Sequence, residues 1–153
     1  MIVVSGSSPV TSLIHVGRLA LLADLYGTVL IPQAVRRELI RSHRSLPPFL
    51  EVREAQDQQM VHRLEVELDL GEAEAIVLAK EAHADLLLID EKLGRQVAAR
   101  EGVPITGLMG VLVAAKRGGH INSVREVVGE LEVSAGFRVS ETVKLEVFLE
   151  AGE

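Results

Sequence analysis

Short apolar runs alternate with longer amphipathic stretches along the chain. Ile2–Val4, Val29–Ile31, "DLLLID" and Val103–Thr106 are too short for helices, and they are continuous enough for strands buried on both faces. A helical pattern follows each run. Ser8 precedes Pro9, the order of an N-cap and a first helical residue, so a helix is predicted from Pro9 towards Leu25, bent at Gly17 and stopped by Gly27. Pro32 opens a second helix through about Ser42, which "SLPPFLEV" ends. "DQQMVHRLEVEL" reads as a polar helical segment. After Gly71, "EAEAIVLAKEAHA" is rich in the strong helix formers Ala, Glu and Leu. Further helices are predicted from Lys92 to Glu101, over "GLMGVLVAAKRGG", after the capping box Ser123–Glu126, and from Glu141.

Four strands alternating with helices argue for a three-layer α/β/α sandwich with a central, mainly parallel sheet. No repeat or linker divides the chain, so residues 1–153 read as a single domain. In such sheets ligands gather beyond the carboxyl ends of the strands. At the end of the first strand, "VVSGSSPV" places only small neutral residues there: Ser5, Gly6, Ser7 and Ser8.

Composition narrows the chemistry. With no cysteine, disulfides, thiolate nucleophiles and Cys-ligated zinc are excluded. A formal charge of −6 excludes a wholly basic nucleic-acid coat but permits a local basic patch. One Tyr, three Phe and no Trp are too few for a base-stacking sheet of the OB or RRM type. No basic leader and no apolar run of membrane-spanning length is present, so a cytoplasmic protein without a membrane partner is expected. "GSSPV" departs from the nucleophile elbow at Val10, and no P-loop or dinucleotide fingerprint occurs. No two histidines stand at i, i+4, which leaves a zinc helix unsupported.

The carboxylates are the remaining candidates. Asp90 follows "LLLI" and is expected at the carboxyl end of a central strand, as the N-cap of the helix beginning near Lys92 or as a ligand. Glu72 suits the positive end of a helix, whereas Glu74 shares a face with Val77 and Leu78. Glu38 lies between Val35 and Leu39, and Glu91 reads as surface. Acids gathered at strand ends repel one another unless a cation intervenes, and Mg²⁺ or Mn²⁺ takes such oxygen ligands together with water and phosphate. Glu38, Glu72, Glu74 and Asp90 thus combine into the hypothesis of a metal-dependent phosphodiesterase pocket. "RRELIRSHR" supplies Arg36, Arg37, Arg41 and Arg44 beside Glu38, either as an ordinary solvated face or as a surface for nucleic-acid phosphates. A reading without hydrolysis is an anion bound at Ser5–Ser8 on a helix N-terminus.

The stretches "VVSGSSPVTSLIHVGRLALLADLYGTVLIPQAVRREL", "LGEAEAIVLA", "ADLLLIDEKLGRQVAAREGVPITGLMGVLVAAKRGG" and "AGFRVSE" together resemble the PIN-domain family, of the small prokaryotic VapC-toxin kind. The resemblance implies a ribonuclease dependent on Mg²⁺ or Mn²⁺, a small antitoxin partner and a homodimer. It assigns catalytic and metal-binding roles to Glu38, to Glu74 or alternatively Glu72, and to Asp90. Three positions depart from the pattern, one of them Ser12, where an Asn is common. Gly6 stands where the central metal-binding Asp is expected, and Lys92 where a further acid is frequent. The expectation is therefore a nuclease with weakened or lost activity, or else a non-catalytic module that binds nucleic acid or an antitoxin.

Overall fold

The computed structural model describes residues 1–153. Five strands, β1 (Val3–Ser5), β2 (Val29–Ile31), β3 (Leu50–Val52), β4 (Leu86–Leu88) and β5 (Ile105–Thr106), form one all-parallel sheet in the order β3-β2-β1-β4-β5. Nine helices accompany it: α1 (Ser7–His15), α2 (Ala20–Tyr26), α3 (Gln33–Ser42), α4 (Gln58–Leu64), α5 (Leu70–Glu81), α6 (Lys92–Arg100), α7 (Leu108–Arg117), α8 (Val124–Ser134) and α9 (Glu141–Glu150).

Alternation along each strand divides the core between the two faces. Val3, Val29, Ile31 and Leu88 point into one apolar cluster with Leu13, Leu22, Leu112, Leu131 and Phe148 from α1, α2, α7, α8 and α9. Val4, Leu30, Leu87 and Ile89 point into the other, with Val61, Leu64, Ile76, Leu78 and Val97 from α4, α5 and α6. The sheet is covered on both sides, which is why its strands are continuous apolar runs. The α/β/α sandwich expected from the sequence is the observed fold.

Four local expectations are corrected. The sheet has a fifth strand, β3, inside the stretch read as a helix breaker; its Leu50 pairs with Val29 at the sheet edge. The helix predicted from Pro9 towards Leu25 is two helices, because Gly17 adopts φ +68° and the chain turns between them. The N-cap of α1 is Gly6, not Ser8, and Pro9 occupies the first turn, where no intrahelical acceptor is lost. α5 begins at Leu70, so Gly71 lies within the helix.

Strand order sets the position of the site. From β1 the chain proceeds to β2 and β3 on one side and later to β4 and β5 on the other. The connections therefore diverge between β1 and β4, a topological switch point where a crevice opens beyond the strand ends. Gly6 sits there, donating its N–H to Leu88 O at 3.0 Å.

Candidate active site

Three helix N-termini at this edge each engage a carboxylate. Asp69 caps α5, accepting the Glu72 N–H at 2.8 Å. Glu74 Oε1 accepts the Ala34 N–H at 2.9 Å in the first turn of α3. Asp90 Oδ1 accepts the Leu108 N–H at 2.8 Å, at the first residue of α7. Asp90 is thus not the cap of the helix beginning at Lys92; its partner lies on the helix after the next strand. Each contact places negative charge at the positive end of a helix.

A narrow polar cleft of about 60 Å³ lies among these termini, lined by Ser7, Ser8, Glu38, Asp69, Glu72 and Glu91 together with Gly71. Asp90 and Glu91 border the adjoining cavity, which joins the same strand ends. Of the acids singled out in the sequence, Glu38 and Glu72 meet in the cleft and Asp90 stands beside it. Glu74 is not among the lining residues: its buried side chain runs to α3 instead. Asp69 and Glu91 join the group. The spacing Asp69-x-x-Glu72, an acidic capping-box pattern, is the signal in the sequence for the first; Glu91 is exposed as well as lining the cleft.

Three glycines fix how closely the carboxylates approach the backbone. A Cβ on Gly71 would collide with Glu38 Oε1, and one on Gly94 would lie 2.5 Å from Glu72 Oε2. A Cβ on Gly107 would come within 2.9 Å of Asp90 Oδ1 and would strike the Arg95 guanidinium. Gly6 is different. Its φ of −76° is open to any residue, and a Cβ there would meet only Leu88 O, at an ordinary 3.6 Å.

The electrostatics follow from crowding. Burial, then the neighbouring Asp69 and Glu91, push the Glu72 carboxyl up to about 7. Burial also raises Asp90, against the opposing pull of the Leu108 N–H and the Arg95 guanidinium. Arg95 is anchored by donating from Nη1 to Ile89 O at 3.2 Å. Glu72 Oε2, Asp90 Oδ2 and Ser7 Oγ are buried without a hydrogen-bond partner. No three acidic or histidine side chains stand together as a group able to hold a metal ion. Around the corner, Arg36, Arg37 and Arg41 on α3 and Arg44 just beyond its end are all exposed and none is in an ion pair, unlike Arg18, Arg53 and Arg100.

Set against known proteins, residues 2–153 match one family model, described as "DUF3368: PIN domain". Neither the curated proteins nor the solved structures give a significant match. No helix is long and apolar enough to cross a membrane.

Proposed function

We propose that this chain, which belongs to the PIN-domain family and so has a nuclease-type fold, is a divalent-cation-dependent ribonuclease of toxin–antitoxin type, weakened because Gly6 replaces a carboxylate. The observation that carries the reading is the pair of buried, unpartnered carboxylate oxygens, Glu72 Oε2 and Asp90 Oδ2, at the switch point of the sheet. Oxygen donors in an acidic, partly buried cleft suit Mg²⁺ or Mn²⁺. Because no three acids stand together as a ready-made ion site, an ion would rest on no more than two carboxylates, Glu72 and Asp90, the remaining positions falling to water and substrate oxygen, as is usual for Mg²⁺. When bound, such an ion supplies a more acidic water and neutralises charge on a phosphodiester.

The residues of the chain have separate tasks. Asp90 keeps one oxygen on the Leu108 N–H, which fixes its rotamer, and leaves the other free. Arg95 stands behind Asp90 and tempers its negative charge. Glu38 and Ser7 line the cleft with Glu72, where a hydroxyl and a carboxylate can orient an attacking water. Arg36, Arg37, Arg41 and Arg44 draw the RNA backbone towards the cleft, and binding through them weakens as salt rises. A homodimer and a small antitoxin partner complete the proposal by resemblance to the family.

The test is cleavage of single-stranded RNA by the purified protein with Mn²⁺ and with EDTA. Slow cleavage that requires Mn²⁺ and disappears in Asp90→Asn supports the reading. RNA binding without any cleavage under either condition supports the binding module instead.

A further inference from the structure

Beyond Asp90 the crevice widens into a cavity of about 350 Å³, bounded by Ser8 and Ser12 of α1, by Lys92, and by Phe137 and Arg138 from the α8–α9 connection. Ser8 and Ser12 stand at i, i+4 and so share one face of α1. Lys92 and Arg138 are exposed, and neither forms an ion pair, whereas Lys80, Lys116 and Lys144 all do. Phe137, one of only four aromatic side chains in the chain, is half-buried: it packs against the core and also lines this cavity.

The carboxylates of Asp90 and Glu91 line one end of this space, while two unpaired cations, two hydroxyls and an aromatic ring line the rest. This suits a ligand that is anionic beside Lys92 and Arg138 and flat and aromatic at Phe137. A nucleotide unit has both properties, and the volume is that of a small-ligand site. A duplex hides its base faces by stacking, so the ring can be used only by an unpaired base. We propose that this cavity is a nucleotide subsite for single-stranded RNA, with Lys92 and Arg138 neutralising a phosphate and Phe137 stacking on its base. The proposal rests on the nucleic-acid reading of the neighbouring cleft and extends it to a side chain that selects unpaired nucleotides.

The test is binding of a fluorescent 2′-O-methyl RNA hexamer in EDTA, so that neither cleavage nor metal enters, with a single abasic site moved along the strand. In the parent chain one abasic position is expected to weaken binding about tenfold. In Phe137→Leu that position loses its effect, while Phe137→Tyr restores it. Lys92→Gln and Arg138→Gln each reduce the slope of log affinity on log salt by about 0.7, as for one phosphate contact on a single strand. An abasic profile unchanged by Phe137→Leu, or salt slopes unchanged in both charge variants, overturns the subsite while leaving the ribonuclease reading intact if cleavage with Mn²⁺ persists. Failure of the parent to bind the hexamer overturns the subsite, and absence of cleavage with Mn²⁺ as well overturns the ribonuclease reading.

Discussion

The carboxylate of Glu74 accepts the Ala34 N–H at 2.9 Å and so ties the middle of α5 to the first turn of α3. Glu72, two residues earlier on α5, turns instead into the cleft and keeps one oxygen without a partner. The two glutamates therefore separate structure from chemistry. Glu74→Ala leaves a buried N–H unsatisfied and is expected to cost about 2 kcal/mol in urea denaturation, whereas Glu74→Gln, which retains an acceptor, costs less and leaves Mn²⁺ binding unchanged. Glu72→Gln should do the reverse, lowering Mn²⁺ affinity in calorimetric titration without loss of stability. Equal effects of Glu72→Gln and Glu74→Gln on Mn²⁺ binding would contradict this division.

The raised carboxyl of Glu72 predicts a pH dependence. Its ordinary value is 4.5 and its value in the folded chain is about 7, so the folded state holds more protons than the unfolded state between these values. Stability of the metal-free protein therefore falls as pH rises through that window, and a cation that neutralises the site offsets the loss. Urea melts in EDTA at pH 5 and pH 8 should show this fall in the parent and a smaller one in Glu72→Gln. Identical pH profiles for the two would refute it.

Glu153 acts in the opposite sense and at lower pH. Burial alone would raise its carboxyl, but the Val124 N–H, Lys116, the Ser123 hydroxyl and the Arg125 N–H together hold it at about 2. This clamp on the N-terminus of α8 stabilises fully above pH 4.5 and is lost as pH falls from 4.5 towards 2. Glu153→Gln should lower the melting temperature at pH 7 and narrow the gap to the parent as the pH approaches 2. A gap of constant size down to that pH would remove the carboxylate from the explanation.

Glycines in helices separate close approach from mere tolerance. Gly129 in α8 has open space where a Cβ would stand, and Gly129→Ala should stabilise by about 0.5–1 kcal/mol. A Cβ on Gly94 in α6 would meet Glu72 Oε2 and Ile89 Cδ1 at 2.5 and 2.7 Å, so Gly94→Ala should destabilise by about 1–3 kcal/mol despite the better helix former. It should also weaken Mn²⁺ binding by displacing Glu72. Thermal melts of the two variants side by side provide the check, and a stabilised Gly94→Ala would show that Glu72 is not held there.

Much of the fold is legible in the sequence because burial on both faces leaves a plain mark, as in "LLLI" before Asp90. β3 is not legible in the same way: Leu50–Val52 follows two prolines, and Glu51 is exposed on an edge strand, which breaks the apolar run. For the site, the apolar face shared by Glu74, Val77 and Leu78 indicates burial, and Glu74 is buried. Its partner, however, lies 40 residues away on α3. Asp90 likewise serves a helix 18 residues further on. Contacts at that separation depend on how strands are ordered in the sheet, and local periodicity carries no information about that order. The carboxylates of Glu38, Glu72 and Asp90 rest against Gly71, Gly94 and Gly107, pairings that exist only once the helices converge.

Gly6 offers the most direct test of the central claim, that this cleft is a hydrolytic centre short of one carboxylate. Its extended backbone and open Cβ position allow Gly6→Asp to fold without strain. Cleavage of single-stranded RNA with Mn²⁺ should be measured for the parent, Gly6→Asp, and Gly6→Asp combined with Asp90→Asn. The account predicts a gain of at least about tenfold for Gly6→Asp, equivalent to about 1.4 kcal/mol of barrier, which Asp90→Asn abolishes. A folded Gly6→Asp variant that cleaves no faster than the parent would contradict it.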